Sequence, residues 1–173
     1  MSRSLSAALP IAFGLLRLLV VLNWLLGVAI LALLVAMPHR EWIISALHLS
    51  PSPHTERLIW GLRTVAILGL ASIPLNHVVL TRLLAMVETV RVGDPFVAAN
   101  ARRLQAVAWA LLALQLLGGV IWAIGEAIST RAHPVDLDTS FSVNGWLAVL
   151  LTFVLARVFA EGAQMRDDLE GTV

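Results

Sequence analysis

The chain contains no cysteine and no lysine. Without a thiol there is no disulfide, thiolate ligand or cysteine nucleophile, and cysteine usage leaves the redox compartment open. All twelve basic residues are arginines, a bias read as coding preference, so the information lies in where they sit. Charge is scarce altogether: 13% of the 173 residues against 59% hydrophobic, too little polar surface for a water-soluble domain of this length. The patterns of common chemistries are also missing. There is no HExxH or paired i, i+4 histidine, no Gly-rich phosphate loop after a strand, no GxSxG elbow and no pair of catalytic carboxylates. His39, His48 and His54, with Glu41 and Glu56, have no metal-ligand spacing. This reading therefore assigns no catalytic, cofactor-binding or metal residue and expects a non-enzymatic protein. The arginines are too few and too close to apolar stretches to argue direct nucleic-acid binding.

What is present is long apolar runs. Four uncharged windows occur, Leu18–Pro38, Thr64–Thr81, Leu104–Gly125 and Thr139–Ala156. A hydrocarbon core of about 30 Å needs about 20 helical residues, with 17 to 25 tolerated, and backbone groups in lipid must be satisfied within the segment. The expected fold is thus all-α: a polytopic membrane protein with four transmembrane helices in a bundle, spans at about 16–37, 63–86, 102–126 and 141–160, forming one domain over 1–173. The N-terminal apolar run continues through Met37, too long for the h-region of a signal peptide, and is read as a retained first span.

Between the first two spans, Trp42, Ile43, Ala46 and Leu47 fall near one helical face and suggest a short interfacial helix, ended by Ser50, Pro51, Ser52 and Pro53. Counting arginines on alternate sides gives eight (Arg3, Arg17, Arg82, Arg91, Arg102, Arg103, Arg157, Arg166) against four (Arg40, Arg57, Arg63, Arg131). Basic residues near span ends are retained inside. Both termini and the link over 88–101 are therefore expected in the cytoplasm.

That link and its surroundings, ETVRVGDPFVAANARRL from Glu88 to Leu104, form the main polar interruption. Gly93 permits a turn, Asp94 is a natural N-cap and Pro95 fits the first helical position, so the third helix is expected to start there. Phe96, Asn100, Arg103 and Val107 then follow along one stripe. This is either a capped helix start with interface arginines or a docking face. Arg157 and Glu161 at i, i+4 can pair; Arg157 is either an interface anchor or, with Glu161, Asn100 and Arg103, part of a polar cluster joining the third and fourth helices. In the fourth span Asn144, Ala148, Thr152, Ala156, Ala160 and Gln164 make a ridge for internal packing or a homodimer. Pro74, Asn76 and His77 interrupt the second span, and Gln115 in the third is read as interhelical glue. A lone intramembrane His is either a hydrogen-bonded neutral ring or part of an ion path.

The GDPF turn with Asn100 after it, together with Leu155-Ala156-Arg157-Val158-Phe159, Glu161-Gly162 and the ending Leu169–Val173, resembles the bacterial membrane family known as domain of unknown function 2975. The resemblance covers nearly the whole chain. It implies four membrane helices, an inner-membrane location and, in many members, a neighbouring small helix-turn-helix regulator. It implies no established activity and no catalytic residues. The leading expectation is a signalling or scaffold protein engaging such a cytoplasmic partner. The alternative is a small transporter or channel using Asn76, His77 and Gln115.

Overall fold

A computed structural model describes residues 2–36, 53–128 and 142–170. Described residues form four helices: α1 (Ser2–Ala36), α2 (Pro53–Arg91), α3 (Ala98–Ile128) and α4 (Val143–Glu170). Each contains a stretch long and apolar enough to cross a membrane, as a multi-pass membrane protein requires. The interfacial helix read at Trp42–Leu47, the outer residues His39, Glu41 and His48 and the third link around Arg131 lie outside the described residues, as does the side chain of His54.

The helix boundaries follow local chemistry. α2 begins at Pro53, where the missing N–H is one of the unpaired first-turn donors anyway. It runs without a break through Pro74, and nearby carbonyls find side-chain donors. The Ser72 hydroxyl donates to Gly69 O at 2.6 Å. Asn23 Nδ2 of α1 donates to Ile73 O at 3.1 Å. α4 is capped by Ser142, whose Oγ accepts from the Gly145 N–H at 3.2 Å while its carbonyl accepts from Trp146 N at 3.1 Å.

Consecutive helices pack on one another, α1 on α2, α2 on α3 and α3 on α4, and no other pair touches among the described residues. The expected bundle is therefore an open row. Lipid explains why: apolar surface is as well solvated by acyl chains as by another helix, so nothing drives α1 and α4 together, and close packing comes from small residues and polar contacts. α1 shows the consequence. Leu15, Leu18, Val21, Leu25, Val28 and Leu31 are all more than half exposed, which is untenable in water and ordinary in a bilayer.

Small residues set the approaches. A Cβ at Gly27 would lie 3.3 Å from Ile73 Cγ2, so α1 and α2 meet closely beside the Asn23 bond. α3 contributes more of the buried side chains than any other helix among the described residues, including Leu104, Val107, Ala108 and Ala110. On α4 the buried positions are Val149, Ala156 and Ala163, seven residues apart each time. The ridge expected at four-residue spacing is thus only partly the interface. Asn144 and Ala148 are exposed, and the Thr152 hydroxyl donates back to its own helix at Ala148 O, 2.7 Å away. A four-residue repeat turns about 400° per step and drifts off the contact, whereas a seven-residue repeat stays on it.

The α3–α4 contact is locked near its middle by Trp109 against Phe153, edge to face at 5.3 Å, and further from the corner by Gln115 against Gly145. A Cβ at Gly145 would fall 1.5 Å from Gln115 Nε2, so the amide occupies the space that glycine leaves. Gly145→Val should destabilise the protein by about 1–3 kcal/mol, and adding Gln115→Ala should recover at least about 0.5 kcal/mol of that. Thermal unfolding in detergent of the two single variants and the double variant checks this; additive losses would contradict it.

Candidate functional site

The polar interruption becomes a structured corner where α2, α3 and α4 meet. α2 stops in a Schellman arrangement. Gly93, at φ +88°, donates to Val90 O at 3.1 Å, and Asp94 N donates to Thr89 O at 3.0 Å, which is the 5→2 and 6→1 pairing of that motif. A positive φ suits glycine, since a Cβ would clash with the neighbouring carbonyl. Gly-Asp therefore ends α2 and does not open α3, which begins at Ala98. The expected N-cap role of Asp94 with Pro95 as first helical residue is corrected accordingly. Asp94 instead makes an ion pair with Arg166 of α4.

Asn100 is the pin of the corner. It is 1% exposed and is the largest fully buried side chain. Its Nδ2 donates to Thr89 Oγ1 at 2.7 Å and to Pro95 O at 2.8 Å. Its Oδ1 accepts from Arg103 Nη1 at 2.8 Å. One amide thus joins the end of α2, the link and α3. Thr89 passes its hydroxyl proton to Met86 O at 2.7 Å. Arg103 Nη1 also donates to Ala85 O at 3.3 Å. A guanidinium near the last turns of α2 is favoured there by the negative end of the helix dipole.

Phe96 leaves the stripe that sequence spacing gives it, because α3 has not begun at that position. Its ring packs against Phe159 of α4 with centroids 5.2 Å apart. It also lies over Gly162, where a Cβ would approach Phe96 Cδ1 to 3.2 Å. The expected four-residue cluster divides in two. Asn100 and Arg103 face α2, while Arg157 and Glu161 pair with each other at 2.7 Å along α4 with side chains 78% and 54% exposed. At this end the link before α3 is joined to α4 by Phe96 on Phe159 and Gly162 and by Asp94 with Arg166 instead.

Thr89, Arg166 and the contact role of Gly162 were not legible as site features. Thr89 is one of several threonines in apolar sequence, and Arg166 is separated from Asp94 by 72 positions. The only signal was that the two distinctive stretches, GDPF and Phe159–Gly162, had to lie at the same membrane face; in the structure they touch.

The intramembrane polar residues are dispersed. His77 Nδ1 accepts from Trp24 Nε1 at 3.3 Å, with the rings edge to face at 5.5 Å. His77 therefore belongs to the α1–α2 contact, as does Asn23. Gln115 belongs to the α3–α4 contact, and Asn76 is half-buried on α2. At the corner end, Arg17 and Arg91 lie 4.7 and 5.5 Å from the Phe13 ring centroid, tying α1 to α2 by cation–π contact. Among the described residues no group of three or more His, Asp or Glu is placed to hold a metal ion.

A family model described as "Protein of unknown function (DUF2975)" matches residues 36–173. Comparison with curated proteins and with solved structures gives no match.

The Asp94–Arg166 contact is partly exposed, with side chains 37% and 40% accessible, so it should contribute about 0.2–1 kcal/mol. Asp94→Arg and Arg166→Asp should each lower the melting temperature in detergent, and the double swap should restore most of the loss. A double variant no better than the worse single one would contradict the pairing.

Proposed function

Because the chain belongs to this family of unknown function, we propose, from its own geometry, that it is a non-enzymatic scaffold or signalling protein of the bacterial inner membrane. In this reading both termini and the corner face the cytoplasm, and the corner presents a firm surface to a cytoplasmic partner. The antiparallel row supports the orientation, because Arg17, Arg82, Arg91, Arg102, Arg103, Arg157 and Arg166 all fall in the corner-side half of their helices while Arg63 falls in the other.

The observation that carries the reading is the joining of the two distinctive stretches into one clasp, Asp94 with Arg166 and Phe96 with Phe159 and Gly162. Around it large apolar side chains face outward, with Val92 78% and Met165 62% exposed. α4, 28 residues long, exceeds the roughly 20 residues a bilayer core needs, so Met165 and Leu169 extend past the lipid. Exposed apolar groups on a rigid polar corner suit a protein partner; a small helix-turn-helix regulator is the kind the family resemblance implies. The transporter reading has less support, since His77 engages α1 and Gln115 engages α4, leaving no shared path.

Affinity purification of the tagged chain from native membranes tests the proposal. A specific cytoplasmic protein should be retained by the wild type and reduced at least tenfold by Val92→Asp, by Phe96→Ala and by removal of the last thirteen residues. An interaction profile unchanged by all three would overturn it.

A further inference from the structure

The docking surface leaves unexplained an open cavity of about 410 Å³ between the corner halves of α3 and α4. Its walls are short: Ala98 and Ala101 from α3 and Ala156, Ala160 and Ala163 from α4 line it. Helices locked further along by Trp109 and Phe153 therefore leave a groove that their own side chains do not fill. The lining is graded along the axis. Phe153 lies at the deep end, Arg102 and Arg157 come next, and Asp167 lies at the outer end.

The two guanidinium groups stand at matching depth. From the Gln115–Gly145 contact, Arg102 is thirteen residues along α3 and Arg157 twelve along α4, a difference of about 1.5 Å. Both border uncharged stretches, 104–125 and 139–156, and so reach the layer where lipid phosphates lie whichever face of the membrane this is. Their charges are unequal in use. Arg157 is neutralised by Glu161 at 2.7 Å. Arg102 is exposed and makes no ion pair or hydrogen bond among the described residues. Asp167 is ten residues beyond Arg157, about 15 Å away along the axis. At the phosphate level the groove thus carries one net positive charge above an apolar, alanine-floored slot.

We propose that this groove is a binding site for a monoanionic glycerophospholipid, with its phosphodiester between Arg102 and Arg157 and the start of an acyl chain along Ala156 and Phe153. One net cation matches one phosphodiester charge. Guanidinium is the side chain best suited to phosphate oxygens, and basic pockets between helices at a membrane surface select anionic head groups. An apolar ligand would leave Arg102 unanswered, and a soluble anion would leave the deep end empty.

The purified full chain in nanodiscs of phosphatidylcholine, with phosphatidylglycerol titrated in, provides the test. Bound lipid is counted by native mass spectrometry and stability is followed by thermal unfolding. Phosphatidylglycerol should be retained at least tenfold over phosphatidylcholine at equal mole fraction and should raise the melting temperature. Arg102→Gln should reduce the preference to less than about twofold. Ala160→Leu, which fills the slot and keeps both arginines, should do the same, with melting in pure phosphatidylcholine unchanged for both variants. Preference retained in either variant would overturn the site. So would displacement by inorganic phosphate at lipid-equivalent concentration, which would mark a soluble anion, or a wild-type dimer that Ala160→Leu dissolves, which would mark a second copy as occupant.

Discussion

The arrangement of the corner depends on the buried amide of Asn100. A side chain with two donors and an acceptor, almost removed from solvent, must have its partners supplied by protein, and each unmet group would cost about 1–3 kcal/mol. The partners come from three places: Thr89 at the end of α2, Pro95 in the link and Arg103 on α3. Satisfying one residue therefore fixes the path of the chain between two helices. It holds the link in the shape that lets Asp94 and Phe96 reach α4. In a row where lipid gives the helices little reason to associate, such polar fixtures and small-residue contacts carry the specificity that a hydrophobic core carries in water.

The same logic repeats at smaller scale along the row. Asn23 and Trp24 bind α1 to Ile73 and His77 of α2. Gln115 fills the space at Gly145. In each of these two interfaces a polar group is directed at backbone or at a glycine. Of the residues read in sequence as candidates for an ion path, His77 belongs to the α1–α2 contact and Gln115 to the α3–α4 contact, while Asn76 is half-buried on α2. The groove beside Arg102 differs, because there the helices part and a cation is left without a partner among the described residues.

Much of the architecture was legible from apolar run length alone. The four helices, their antiparallel order and the placing of most arginines at one end follow from window length and charge counting. The corner was legible in location and not in connection. Gly93 and Asp94 fit both the end of one helix and the start of the next, and only the hydrogen bonds to Val90 and Thr89 distinguish them. A start three residues later rotates Phe96 off the Asn100 stripe. The pairing of Arg157 with Glu161 follows from i, i+4 spacing, but spacing within a helix says nothing of which neighbour that face meets. Closure of the bundle could not be read either, since it depends on contacts between helices distant in sequence.

The most direct test of the central claim is hydrogen exchange across residues 88–101 in the wild type and in Asn100→Leu, a substitution of similar size that deletes every polar contact of the amide. The account requires the amides of Gly93, Asp94 and Asn100 to lose at least about tenfold protection, equivalent to about 1.4 kcal/mol or more, while those around Asn23 and Ile73 keep theirs. Equal protection of the link in both proteins would show that the corner holds its shape without Asn100, and the account would fail.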